Sequence, residues 1–327
     1  MTDSTTNHTH LAVAGLVAQP GERVSGLVEV DLGAAVVSIP VVLINGGRAG
    51  RRVGITAGIH GAEYVSIAAL RRVVMELDPA DVDGSIVAVL TANPAAFAAR
   101  SIYLNPLDRK NLNRVFPGYA AGTASERLAA WLYENVIAPS NLFIDMHCGD
   151  MNEALVSFSG IELIGEPEVD ALSRRVAEAY GLDYLVVGPL PGSTTTAAAT
   201  RGIPAVLAEV GGQGLWPAAD VARHAAGLRR ALVAAGSLPP SAATGPAGVV
   251  SRLLSQEAWL RSDVTGYWHP LVGVGDEVAA GQPVGEVRDA FGTVLGAVDA
   301  PIGGVILFLV TSLAMNAGDP LLAIGTS

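Results

Sequence analysis

Gly58-Ile59-His60-Gly61-Ala62-Glu63 sets an imidazole and a carboxylate three residues apart, directly after an apolar run, Val53 to Ala57, that reads as a buried strand. Tyr64-Val65-Ser66-Ile67-Ala68-Ala69-Leu70 suggests a helix from Ala62 onward, which would place His60 at its mouth and Glu63 in its first turn, both projecting to one side. That side is the carboxyl end of the strand, where open α/β sheets keep their sites. Glycines at 58 and 61 permit the sharp turn this requires. An isolated H-x-x-E can do no more than cap a helix or pair internally. A third residue changes the balance. Phe143-Ile144-Asp145-Met146-His147 is a second strand-like run, and period-two alternation puts Asp145 and His147 on one face, Ile144 and Met146 on the other. Two histidines and a glutamate form a donor set used by catalytic zinc, with a fourth position left for water.

Working outward, the strand, a helix to about Leu77 stopped by Asp78-Pro79, and a strand from Ser85 to Thr91 make a βαβ unit, so the sheet is at least partly parallel. Before it, β-rich runs from 11 to 45 read as a meander ending in the Asn45-Gly46-Gly47 turn. After it, helices are expected at 124–138, 167–180 and 218–235, with a short one capped near Ser193 and closed by Gly202. Strands are expected at Asp183 to Val187 and again up to Glu209. The expected architecture is α/β, a mixed, partly parallel sheet flanked by helices.

Gly236 to Pro246 is rich in Pro, Gly, Ser and Ala, and it divides the chain into a catalytic unit at 1–236, a linker at 237–247 and a C-terminal β unit at 248–327. Short strands at turn spacing beyond the linker resemble the barrel-sandwich fold of biotinyl and lipoyl carriers. Carriers need a lysine to modify, and the only lysine in the chain is Lys110, so a lid or an oligomer contact is the expected role. Tyr267, Trp268 and His269 are the residues of this unit that could reach the site. His224 reads as a surface or packing histidine.

The 327 residues are half hydrophobic, enough for a large core, and carry a net charge of −11. No basic stripe could neutralise a phosphate backbone, which argues against nucleic acid as a partner. The single cysteine, Cys148, forms no intramolecular disulfide and fits the cytoplasm. It follows a ligand candidate but has no free histidine partner to make it a nucleophile. The start of the chain, Met1 to His10 with His8, is polar and reads as a frayed tail, and the apolar stretch after it is too short to span a membrane.

Two further segments carry chemistry. Arg100 to Gly118 is a polar loop, and Asp108-Arg109-Lys110-Asn111-Leu112-Asn113-Arg114 within it sets guanidinium groups beside amides, a combination suited to holding a carboxylate. Ile203 to Gly212 is an apolar strand ending in Glu209 and two glycines. A buried carboxylate there is costly unless it has a task, and a zinc hydrolase needs a general base.

G-x-H-G-x-E at 58–63, N-L-N-R-x-F-P-G at 111–118, D-M-H at 145–147 and E-V-G-G at 209–212 resemble, in this order, the succinylglutamate desuccinylase/aspartoacylase family of the zinc-carboxypeptidase-like fold. The resemblance implies one Zn²⁺ per chain on His60, Glu63 and His147, Glu209 as the base toward its water, and Asn113 with Arg114 on the substrate carboxylate. The arginine that polarises the scissile carbonyl in aspartoacylases falls here on Pro106; Arg100 is the first substitute and Arg109 the second. The implied activity is deacylation of a small N-acylated amino acid carrying a carboxylate. A carboxypeptidase of short peptides and an inactive metal- or ligand-binding relative are the alternatives, and a homo-oligomer stays open.

Overall fold

The computed structural model describes residues 10–327, so the part of the tail that holds His8 lies outside the described residues. A nine-stranded sheet runs in the order Arg252–Leu254, Tyr184–Val187, Phe158–Ile161, Ala205–Glu209, Leu142–His147, Arg48–Ala57, Asp83–Val89, Val36–Asn45, Glu22–Asp31. Its four middle strands, from Ala205–Glu209 to Asp83–Val89, are parallel. The strands on either side of that block, Phe158–Ile161 and Val36–Asn45, meet it antiparallel. Apolar runs read continuously in the parallel strands because both faces are covered: every residue of Leu142–His147 is buried.

On one face lie the helices Tyr64–Glu76, Pro167–Tyr180 and Ala218–Ala234, whose Leu70, Val73, Val176 and Leu228 pack on Ile55, Ile144, Met146 and Val206. On the other, Ala124–Leu132 and Thr194–Thr200 set Leu128, Leu132 and Ala198 against Val87, Val89 and Phe143. Alternation along 143–147 therefore falls as the sequence implied. One local expectation needs correction. Glu63 is not in the first helical turn but at the N-cap of Tyr64–Glu76, where its side chain makes no capping bond because the carboxylate is engaged elsewhere. After the strand Asp83–Val89, Asn93 accepts from the Ala96 N–H and starts the short helix Pro94–Ala99, with proline in its favoured first turn.

The C-terminal residues form two antiparallel sheets around Val284, Val287, Ile306, Leu322 and Ile324. Trp268 is 2% exposed in that core and donates its indole N–H to Val310 O at 3.0 Å. It is a packing residue and not one that reaches the site, while Tyr267 and His269 are exposed on the same strand. Two short strands tie the large sheet region to the C-terminal sheets. Arg252–Leu254 extends the large sheet beside Tyr184–Val187, and Glu153–Leu155 pairs antiparallel with Gly304–Val310. Among the described residues no helix is long and apolar enough to cross a membrane.

Gly61 is required by close approach: a Cβ there would stand 2.1 Å from the Phe97 nitrogen and 2.2 Å from the Ala96 carbonyl carbon, both backbone atoms. Gly61→Ala should cost about 1–3 kcal/mol as the Pro94–Ala99 helix is pushed away. An unchanged unfolding midpoint in urea would show that the helix yields freely. His224, fully buried, sits between Tyr180 Oη, 2.8 Å from its Nδ1, and His147 O, 3.0 Å from its Nε2. Burial pushes its pKa from 6.5 down to about 3. The unfolded chain therefore takes up a proton that the native state refuses. The contribution is complete above pH 6.5 and is lost as the pH falls toward 3. Melting temperature should decline through this acid range more steeply in the parent protein than in His224→Gln, and parallel declines would refute the assignment.

Candidate metal centre

Three adjacent parallel strands end at one place. Arg48–Ala57 leads through Gly58, at φ +69, into the turn that carries His60 and Glu63. Leu142–His147 ends on His147, and Glu209 stands directly beside it in register on the next strand. The donor atoms of His60, Glu63 and His147 lie within 4.8 Å of one another. His60 Nδ1 is 2.6 Å from Glu63 Oε1, and His147 Nδ1 is 2.9 Å from Glu63 Oε2.

The outer ring nitrogens fix which atoms face inward. His60 Nε2 lies 3.0 Å from Asn111 Oδ1, an oxygen that also accepts the Asn113 N–H at 2.8 Å. His147 Nε2 lies 2.8 Å from Asp145 Oδ2, and Asp145 further accepts from Thr56 Oγ1 at 2.6 Å and from the Thr194 hydroxyl. Both partners are acceptors, so each ring carries its proton on Nε2. Each Nδ1 lone pair then points at a carboxylate oxygen. Two acceptors at such distances repel unless a proton or a cation lies between them. The donor set therefore fits a divalent cation, with Asn111 and Asp145 as the outer groups that orient the ligands.

The electrostatics favour positive charge among these groups. Burial favours a neutral Glu63, but the facing rings of His147 and His60 bring it down to about 2. Burial opposes charge on the histidines as well; Glu63 nevertheless raises His60, and Asp145 with Glu63 raises His147. Glu209 is half-buried, and its Oε2 is out of reach of solvent without a hydrogen-bond partner. Burial, reinforced by Glu63, Glu153 and Asp145 against the opposing effect of His147, pushes its carboxyl well above the usual range. Cys148 is buried and its thiol is raised by that burial, the opposite of an activated nucleophile.

The polar loop divides its residues. Asn113 is buried, and its Oδ1 accepts the Thr194 N–H at 3.0 Å. Arg114 is exposed, with Nη1 donating to Asn113 O at 2.8 Å. Arg100 and Arg109 are exposed, with left-handed backbone at φ 52 and φ 60. Sequence reasoning did not single out Asn111 or Tyr103, whose ring lies edge-on to His60. Asn111 had a signal in N-L-N, where two amides two residues apart share one turn. Two further buried carboxylates near the group are already engaged: Asp145 as described, Asp150 by the N–H groups of Tyr103 and Met151.

Comparison with known proteins bears on this arrangement. The succinylglutamate desuccinylase/aspartoacylase catalytic domain matches residues 49–235, more than half of the chain. An N-alpha-acetyl-L-2,4-diaminobutyric acid deacetylase from Halomonas elongata is 27% identical over 295 residues, covering 88% of this chain and 85% of that protein. The product-bound ectoine utilization protein EutE (DoeB) from Ruegeria pomeroyi superposes with a TM-score of 0.83 at 25% identity, covering 94% of this chain and 97% of that one. A succinylglutamate desuccinylase/aspartoacylase from Rhodobacter sphaeroides gives a TM-score of 0.82 at 25% identity, over 93% and 95% of the two chains. With the catalytic-domain match spanning most of the large sheet and the strand ends that carry His60, Glu63, His147 and Glu209, the chain belongs to the succinylglutamate desuccinylase/aspartoacylase family.

Proposed function

We propose that this chain hydrolyses the amide bond of a small N-acylated amino acid, with one Zn²⁺ held by His60, Glu63 and His147. The observation that carries this is the pair of inward Nδ1 atoms set on the two oxygens of Glu63, next to a carboxylate, Glu209, whose Oε2 has no partner. Bound zinc would polarise a carbonyl and acidify a water. Glu209 takes the proton of the attacking water and returns it to the leaving amine. Asn113 has spent its Oδ1 on Thr194, which leaves its Nδ2 to donate beside Arg114 to the substrate carboxylate. Arg100, or failing that Arg109, would polarise the scissile carbonyl. The relative named for N-alpha-acetyl-L-2,4-diaminobutyric acid favours an N-acetylated amino acid over a peptide. The single cysteine supports a reducing, cytoplasmic location.

Metal analysis of the purified protein with a panel of N-acyl amino acids and acyl dipeptides tests the reading; hydrolysis of the dipeptides alone would favour a carboxypeptidase. Glu209→Gln should keep its fold and zinc while kcat falls by roughly 10²- to 10⁴-fold and KM moves little. His60→Ala should lose zinc and activity together. A zinc-loaded Glu209→Gln enzyme with near-normal kcat would remove the base from the mechanism. Arg114→Lys keeps the charge but loses the planar grip, so KM should rise for carboxylate-bearing substrates and not for their amide-capped analogues. Equal KM values with both substrate sets would refute the role.

A further inference from the structure

Tyr103 is the side chain beside the metal ligands that the proposed mechanism leaves unused. It sits at φ 55, in the centre of a three-residue turn closed by the Leu104 N–H on Ile102 O at 2.5 Å. Such a turn is strained for any residue with a Cβ, and strain persists only where the surroundings hold it. Two carboxylates do so here. Asp150 Oδ2 accepts the Tyr103 N–H at 2.8 Å, and Glu153 Oε1 accepts its hydroxyl. The two anchors are themselves joined, since Glu153 Oε2 accepts the Asp150 N–H at 2.8 Å. Held this way, the Tyr103 ring stands edge-on to His60, with centroids 6.4 Å apart and planes at 89°.

The anchors are fixed in turn from the far end of the chain. Glu153 opens the strand that pairs with Gly304–Val310, directly opposite Val310. Thr311 N–H donates to Asn152 O at 2.7 Å, and the Trp268 indole holds Val310 O. Gln213 N–H, in the segment after Glu209, is shared by Asp150 O at 3.0 Å and Glu153 O at 2.9 Å.

We propose that Tyr103 is a positioning residue for His60, kept in its strained turn by Asp150 and Glu153, so that the C-terminal sheet braces the metal centre through it. The inference rests on the assignment of His60 as a zinc ligand. His60 is half-buried and follows a glycine-punctuated turn; Glu63 on Nδ1, Asn111 on Nε2 and the His147 ring 5.4 Å away fix three sides of the imidazole, and the Tyr103 edge adds a further contact to the ring. Without the aromatic edge the imidazole turns more freely, and enclosing the ion then requires ordering it first.

The test compares parent protein, Tyr103→Gly and Tyr103→Phe after loading with one equivalent of zinc. Glycine accepts the left-handed backbone without strain, so this variant removes the ring while sparing the fold. Zinc retention against a chelator should weaken in Tyr103→Gly by about ten- to a hundredfold, the usual cost of an outer-shell group. Its kcat should fall with little change in KM, and the melting temperature of the zinc-free protein should stay close to the parent's. Tyr103→Phe keeps the ring edge and should recover most of the retention. Parent-like retention in Tyr103→Gly overturns the inference, and so does a loss that Phe fails to rescue and that tracks the zinc-free melting temperature. A parent protein that holds no zinc overturns both this inference and the ligand assignment beneath it.

Discussion

Glu63 is one carboxylate facing two imidazoles, and much of the site follows from that demand. A glutamate at an N-cap ordinarily satisfies the first turn of its own helix, yet Tyr64–Glu76 begins without that help. The carboxylate instead spans His60 on its own turn and His147 on the neighbouring strand. The rings can take that position only because Asn111 and Asp145 hold their outer nitrogens, and Asp145 only because Thr56 and Thr194 supply hydroxyls. Groups from five separate segments thus converge on the space between two oxygens. The uncapped helix end is offset by packing of its apolar face: Val65, Ala69, Leu70, Val73 and Val74 are all buried.

How far this could be read from residue order depends on the range of each interaction. Strand alternation is a local rule, so Asp145 and His147 on one face and Ile144 and Met146 on the other were legible at once. Glycine punctuation marked the His60 turn, and the parallel sheet followed from a βαβ spacing. Asn111 was harder. Whether the first or the second amide of N-L-N turns toward a histidine is decided by the short turn Leu112–Arg114, which no periodicity announces. Tyr103 lay beyond reach because nothing in a tyrosine signals a left-handed backbone. The arginine sought at Arg100 or Arg109 shows the complementary limit: composition can supply a guanidinium, but only tertiary contacts decide whether it points to the site.

The C-terminal sheets illustrate the same limit at larger scale. Gly and Pro at turn spacing made their β character plain. Glu153–Leu155 and Arg252–Leu254, three residues each, are too short to show alternation, although they are the strands that join the two parts of the protein. Trp268 looked like a residue free to reach outward, but its place opposite exposed neighbours on one strand turns it into the sandwich core.

The crossing strands also constrain how the chain can reach its native state. The large sheet receives its last strand, Arg252–Leu254, from beyond the exposed Pro- and Gly-rich stretch, while Glu153–Leu155 must wait for Gly304–Val310 to be made. A nascent chain of which only the first 235 residues have emerged therefore presents, at Tyr184–Val187 and Glu153–Leu155, two strand edges that later residues cover. Such edges pair with whatever strand is nearest, including those of another nascent chain. From the synthesis of residue 155 to that of residue 310 the edge at Glu153–Leu155 stays without its partner, and slower translation across that span lengthens the interval.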